Sequence, residues 1–186
     1  MALTVAFVRH RERRDRVYVT RDDGTSTFWD FPSYGDRLPH DLCHLVVEEG
    51  LGIANGFWGM VDQGVAVKLV DNQATLVRDG TPLCDQPGFD FSDLTKAEDA
   101  VAVLGSAGIG TEHVGALAVA RLDGTSGGPP DAHRLAAALG VDLPPGATEA
   151  TVTAIGRRLA ELDRRWRDLD DGDAITMTFA IADGGV

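Results

Sequence analysis

The pattern that most restricts the fold lies near the end of the chain, where apolar side chains recur every three or four residues. They are Val152, Ile155, Leu159, Leu162, Trp166 and Leu169. Arginines that alternate with acidic residues lie off this stripe: Arg157, Arg158, Arg164, Arg165 and Arg167. A helix with one apolar stripe has to bury that stripe against another layer of the structure. The sequence therefore predicts a long amphipathic C-terminal helix over about 149–169 with a solvated, ion-paired charged face; a basic docking surface is the alternative.

The start of the chain predicts the layer against which this helix packs. Residues 3–9 and 16–21 are rich in β-forming side chains, and apolar residues alternate with polar ones along both. A charged segment over 11–15 separates them, and Asp22-Asp23-Gly24 is a tight-turn signal that predicts a third strand over 25–31. This arrangement is typical of a three-stranded antiparallel meander.

Together these segments predict the α+β class, in which an antiparallel sheet is packed with helices. We expect the sheet to contain the N-terminal meander, a final strand over 174–182 and, as a further candidate, a hairpin over 65–78. In Phe28-Trp29-Asp30-Phe31, alternate residues are expected in the core. Asp30 is then expected to face solvent, or to face the site if the strand ends there. Further helices are predicted over 39–49, 57–61, from 93 or 95 to about 104, 112–122 and 131–139, with a turn over 105–110.

Length and charge argue against several classes of function. A chain of 186 residues that is 44% hydrophobic is expected to form one domain, 1–186, with a sizeable core. A formal net charge of -12 argues against binding to nucleic acid or to anionic membranes. The sequence shows neither a signal-peptide core nor a run of about 20 apolar residues, and it gives no support to a Cys43–Cys84 disulfide. The predicted location is therefore the cytoplasm.

Ionisable residues are grouped in the predicted helix over 39–49, where two of the five histidines lie one turn apart. At about 100° per residue, His40, His44, Glu48 and Asp41 fall on one stripe, opposite an apolar face. Neutral imidazoles at this spacing can hold Zn²⁺ or another divalent first-row ion. A neighbouring carboxylate can orient a ligand or accept a proton. We therefore predict His40 and His44 as ligands, Asp41 as base or orienting group, and Glu48 as a support or proton carrier.

A third ligand has to come from another part of the chain. Glu48 lies about 12 Å along the helix axis from His40, too far for the two to share an ion. Glu112 and His113 are adjacent at the start of a predicted helix and are the favoured candidates, with His113 taken as the ligand. His133 and His10 are weaker candidates.

The segment His40-Asp41-Leu42-Cys43-His44 resembles the His-Glu-x-x-His motif of the zincin metalloproteases, with Asp41 in place of the catalytic glutamate. It is also similar to the His-Asp-x-x-His motif of a ubiquinone-biosynthesis family, although the glutamate that follows in that family has no counterpart here. The stretch from Leu38 to Gly59 resembles a group of small actinobacterial proteins of unknown function. The zincin likeness implies metal-dependent hydrolysis.

The leading functional prediction is a small metal-dependent protein, in its most specific form a hydrolase, whose small-molecule or protein partner and oligomeric state the sequence leaves open. The alternative is a non-enzymatic interaction or regulatory protein in which the histidine stripe is structural, since Asp41 is favourable at a helix start without any chemistry. A third possibility is a pH-responsive site, because imidazoles and carboxylates on one face can titrate near neutrality. Gly56-Phe57-Trp58-Gly59 is interpreted as a hydrophobic plug, with a pocket wall as the alternative.

Overall fold

The computed structural model describes residues 2–31, 35–70, 73–109, 136–137, 142–144 and 146–181. Its strands are β1 (Leu3–Val8), β2 (Asp15–Arg21), β3 (Ser26–Phe31), β4 (Ala66–Val70), β5 (Gln73–Arg78), β6 (Thr81–Pro82) and β7 (Ala174–Phe179). Its helices are α1 (His40–Leu51), α2 (Phe57–Asp62), α3 (Ser92–Ile109) and α4 (Glu149–Asp168). The α+β class is confirmed, while the division into a single domain stays a prediction.

The main sheet has four antiparallel strands in the order β3-β2-β1-β7. The final strand pairs with β1 as predicted, and the register places Val5 between Val19 and Met177. Every second residue of these strands is buried, because successive side chains point to opposite faces of a sheet. Trp29 and Phe31 enter the core as predicted, and Asp30 lies on the outer face opposite Arg16.

The hairpin over 65–78 forms a separate sheet, so its predicted place in the main sheet is wrong. Strands β4, β5 and β6 pair in that order, and the segment Asp71-Asn72 between the first two lies outside the described residues. Met60, Val65 and Leu83 form a small core of their own beneath this sheet. Val67 of β4 belongs to the main core, so the hairpin packs against that core as a second sheet and does not extend the first.

The long C-terminal helix is confirmed as α4, and its apolar stripe is buried. Ile155, Leu159, Leu162 and Trp166 are each at most 4% exposed. At the C-terminus of the helix, the guanidinium of Arg9 is buried and donates to the carbonyls of Trp166 and Arg167. A cation there satisfies carbonyls that have no partner within the helix. The Asp163–Arg167 pair at 2.7 Å supports the predicted ion pairs along its charged face.

Helix α3 is longer at both ends than predicted, and the predicted turn over 105–110 is wrong as far as Ile109. The helix begins at Ser92, whose N–H is held by the Asp90 carboxylate at 2.9 Å. It continues through Gly105 because packing of buried Ala97, Ala100, Val101 and Leu104 outweighs the helix-breaking tendency of one glycine. The predicted helix over 112–122 and most of that over 131–139 lie outside the described residues.

The cysteines and the helices bear on the predicted absence of a disulfide and of a membrane span. Both cysteines are free thiols, with Cys43 buried and Cys84 exposed. Within the described ranges, none of the helices has the length and apolar character needed to cross a membrane.

Candidate metal centre

Helix α1 places the histidine stripe at the edge of the main core. The helix begins at His40, directly after Pro39, and ends at Leu51. The next residue, Gly52, has a φ of 68°, the left-handed conformation that glycine adopts readily. Its buried face contains Leu42, Val46 and Val47, as the projection predicts. His44 and Glu48 are also buried, at 2% and 0% exposure, whereas His40 is half-exposed.

Glu48 is a fully buried carboxylate with three hydrogen-bond donors around it. The N–H of Phe57 donates to Oε1 and the N–H of Trp58 donates to Oε2, each at 2.9 Å. These N–H groups open α2 and have no acceptor within that helix. The third donor is His44, whose Nδ1 lies 2.9 Å from Oε1. Glu48 therefore joins α1 to α2 and orients the imidazole of His44 in the same contact.

Helix α3 brings a carboxylate to the other side of His44. With Nδ1 donating to Glu48, the remaining nitrogen, Nε2, faces Glu98 Oε1 at 3.4 Å. The Nε2 of His40 lies 3.8 Å from the other oxygen of the same carboxylate. The two imidazole rings are 4.7 Å apart between centroids. His40, His44 and Glu98 thus converge from two helices.

The separations within this group are close to those that a metal ion requires. His40, His44 and Glu98 each offer a ligand atom, and these atoms all lie within 4.8 Å of one another. Tetrahedral ligands at zinc–ligand distances of about 2.0–2.1 Å lie about 3.3 Å apart, so small side-chain rotations would complete the geometry. His40 and Glu98, 53% and 54% exposed, have the freedom to make those rotations, and His44 is fixed. The three residues could hold a metal ion that stays open to solvent on one side.

In the metal-free protein the same arrangement favours a proton on His44. Burial by itself lowers the pKa of this imidazole, but hydrogen bonds to Glu48 and Glu98 outweigh burial and raise its pKa to about 9. For the carboxyl of Glu98, burial acts in the opposite direction and raises the pKa. The hydrogen bond and the charge of His44 outweigh burial and leave the pKa of Glu98 below its ordinary value. A metal ion would have to displace the proton of His44, so the metal affinity of the site is expected to fall as pH falls below 9.

Asp41 is near the histidines in sequence, but its carboxylate is engaged on the sheet side of the helix. Its Oδ2 accepts a hydrogen bond from Trp29 Nε1 at 3.0 Å. Its backbone carbonyl accepts another from Trp58 Nε1 at 2.8 Å. These contacts anchor two indole rings that lie 5.8 Å apart. The observed contacts give Asp41 a positioning role for Trp29.

Phe57 and Trp58 fill the core as a hydrophobic plug, and Phe57 also lines the site as a pocket wall. Trp58 is fully buried and Phe57 is 8% exposed, so both fill the core as the plug interpretation predicts. The ring of Phe57 also lies 5.8 Å from that of His44, and it thus forms an apolar wall beside the histidine. An apolar wall keeps water away from the buried side of the site.

The sequence missed Glu98 as the third converging residue. A signal was present, because Leu94, Glu98 and Val101 follow helical spacing and place a carboxylate on an otherwise apolar stripe. The predicted ligand His113, its neighbour Glu112 and the weaker candidate His133 lie outside the described residues. His10 lies outside the site, after the end of β1, and its Nδ1 is 3.6 Å from Oδ1 of Asp171.

No protein family model matches the chain, and comparisons with characterised proteins and with solved structures found no similar protein. The resemblances seen in the sequence therefore stay predictions, and the case for function depends on the site itself.

Proposed function

We propose that His40, His44 and Glu98 bind a divalent first-row metal ion, with Zn²⁺ as the first candidate. The observation that supports this most is the carboxylate–imidazole relay from Glu48 to His44 Nδ1, which directs Nε2 towards Glu98. Ligand histidines in metal sites almost always donate their other N–H to a carboxylate, a carbonyl or water. Imidazole nitrogen with carboxylate oxygen is a ligand set that zinc accepts.

The further step in the proposal is that the site is catalytic and the protein is a metal-dependent hydrolase. Three protein ligands leave a fourth position open, which is the arrangement of catalytic rather than structural zinc sites. A zinc ion held in this way acts as a Lewis acid and activates water. The half-exposed side chains of His40 and Glu98 leave that position accessible to a substrate. Phe57 would exclude water from the buried side of His44, and Glu48 would orient its imidazole.

Hydrolysis of activated model substrates tests the catalytic step. Tag-free protein treated with a chelator is assayed on p-nitrophenyl acetate and on bis(p-nitrophenyl) phosphate, before and after one equivalent of Zn²⁺ is added. The proposal expects turnover that appears with zinc and is lost in Glu98→Gln and His44→Ala. Zinc-dependent turnover that is equal in wild type and both variants would assign the activity to free metal and contradict the proposal.

The second candidate is a non-enzymatic interaction or regulatory protein, and the contacts of Glu48 favour it. A carboxylate that caps α2 and holds His44 stabilises the fold whether or not a metal binds. In this case zinc does not raise the melting temperature of the wild type, and His44→Ala, which removes the imidazole bound to Glu48, lowers the stability of the metal-free protein. A zinc-induced rise of melting temperature in the wild type that His40→Ala and Glu98→Ala lose would exclude a purely structural stripe.

A further inference from the structure

A second group of charged side chains surrounds a surface cavity of about 250 Å³ at the end of the main sheet. The cavity is lined by His10, Arg13, Arg14, Arg16 and Asp30, which we call the arginine cavity. His10 follows β1, Arg13 and Arg14 belong to the connection to β2, and Arg16 and Asp30 face each other from β2 and β3. None of these residues belongs to the proposed metal site.

The lining of the arginine cavity is basic although the protein is acidic. The chain has 29 acidic residues against 17 lysines and arginines, yet three arginines line this cavity with one carboxylate and with His10, which lies 3.6 Å from Asp171. Two neighbouring arginines have other tasks, since Arg9 and Arg11 donate to carbonyls at the end of α4. A concave positive surface on a negative protein concentrates small anions locally.

Arg16 is held in place before any ligand arrives. Its Nε and one amino group donate to the two oxygens of Asp30 at 2.5 and 3.1 Å. Its guanidinium carbon also lies 4.8 Å from the centroid of the Phe28 ring. The hydrogen bond from Arg16 and then the charges of Arg14 and Arg13 hold the pKa of Asp30 below its ordinary value. All three arginines that line the cavity therefore act on the carboxylate of Asp30.

Two exposed aromatic rings lie beside the arginine cavity. Tyr18 and Phe28 are a cross-strand pair on the outer face of the sheet, 45% and 57% exposed, with ring centroids 5.9 Å apart. Arg16 contacts both rings, so the aromatic pair and the cavity form one continuous surface. Exposed aromatic rings next to basic groups are suited to a ligand that has both a flat ring and an anionic group.

We propose that the arginine cavity binds the phosphate group of a small phosphorylated ligand, with Tyr18 and Phe28 receiving the ligand's ring. Guanidinium groups match phosphate oxygens through paired hydrogen bonds, and several of them suit a dianion better than a carboxylate. A nucleoside monophosphate has the two required parts. Nucleic acid is disfavoured because the net charge of -12 repels a polyanion.

Calorimetric titration of chelator-treated protein at constant ionic strength tests the proposal, because removal of metal prevents phosphate from binding through zinc. The probes are inorganic phosphate, adenosine monophosphate and adenosine. We expect adenosine monophosphate to bind more tightly than inorganic phosphate. We expect Arg13→Ala and Arg14→Ala each to weaken both phosphate probes about tenfold, the loss of one charge-assisted contact. Phe28→Ala should weaken adenosine monophosphate alone.

Arg164→Ala is the matched control, since Arg164 is an exposed arginine of α4 that does not line the cavity. It should bind all probes as the wild type does. Equal weakening in Arg164→Ala and Arg13→Ala would show general charge attraction and overturn the proposal. Adenosine that binds as tightly as its monophosphate would also overturn it. Tighter binding of a single-stranded oligonucleotide than of adenosine or adenosine monophosphate would overturn the proposal as well.

Discussion

Glu48 and His44 lie one turn apart on α1 and share a hydrogen bond of 2.9 Å between Oε1 and Nδ1, in surroundings that exclude solvent from both side chains. The same carboxylate accepts the first two N–H groups of α2. One buried group therefore fixes both the direction of the imidazole and the position of the aromatic wall. The metal proposal depends on this coupling of fold and site.

Glu48→Ala is expected to destabilise the protein by about 2–5 kcal/mol, because it leaves two buried N–H groups and an imidazole without their acceptor. Urea unfolding of the metal-free protein measures the change. Glu49→Ala is the matched control, since the neighbouring Glu49 forms a partly exposed ion pair with Arg158 and its loss should cost within about 1 kcal/mol. Equal effects of the two substitutions would contradict the role given to Glu48.

Gly56→Ala tests the same contact by crowding it. A Cβ on Gly56 would lie 2.5 Å from Cδ of Glu48, and three hydrogen bonds prevent that carboxylate from moving away. We expect a loss of about 1–3 kcal/mol in unfolding free energy and weaker zinc binding.

Gly105→Ala is the comparison for Gly56→Ala, because no atom of the described residues lies within 4 Å of the added Cβ and the position is helical. It should raise the unfolding free energy by about 0.5–1 kcal/mol through helix propensity. A destabilisation by Gly105→Ala as large as that by Gly56→Ala would show that glycine loss itself, rather than contact with Glu48, is responsible.

The stability of the metal-free protein should fall as pH rises through 9. Glu48 and Glu98 raise the pKa of His44 to about 9 in the folded protein, against an ordinary value of 6.5, although burial alone acts in the opposite direction. Because the folded pKa is the higher one, the stabilisation is fully present below pH 6.5 and is lost above 9. Thermal unfolding from pH 6 to 10 measures it. His44→Ala should flatten this part of the profile, and an unchanged profile in that variant would refute the assignment.

Asp41→Asn distinguishes a positioning role from the base role that the zincin likeness implies. Asparagine keeps an oxygen that can accept from Trp29 Nε1, so the variant should retain stability and zinc affinity. If Asp41 holds Trp29 in place, any zinc-dependent turnover should change less than about tenfold, whereas loss of a general base typically costs 100-fold or more. The ratio of wild-type to variant turnover number decides between the two roles.

Local patterns made most of the fold predictable. Alternation predicted β1 and β2, turn signals predicted the starts of β3 and β7, and the apolar stripe predicted α4. These elements were predictable because each buries one face against one core. The place of the hairpin was not predictable in this way. Its side chains indicate that a face is buried but do not specify which surface covers it.

Of the candidate site, the sequence predicted the two histidines of α1 but not Glu98 of α3, because local patterns do not specify which elements meet. Helical spacing placed His40 and His44 side by side, and it excluded Glu48 from sharing an ion with His40. The meeting of α1 with α3 depends on tertiary packing, so Glu98 could not be paired with the histidines from spacing alone. The burial of Glu48 likewise follows from the approach of α2, which no pattern within α1 encodes.

Zinc titration of the tag-free, metal-free protein against a competing chelator tests the central proposal most directly. We predict that the wild type binds one equivalent. His44→Ala and Glu98→Ala should lose most of that affinity, Glu48→Gln should lose about 10–100-fold, and the exposed control Glu161→Gln should lose none. A wild type that binds no stoichiometric zinc, or affinities that are equal in all of these variants, would contradict the proposal that His40, His44 and Glu98 form a metal site.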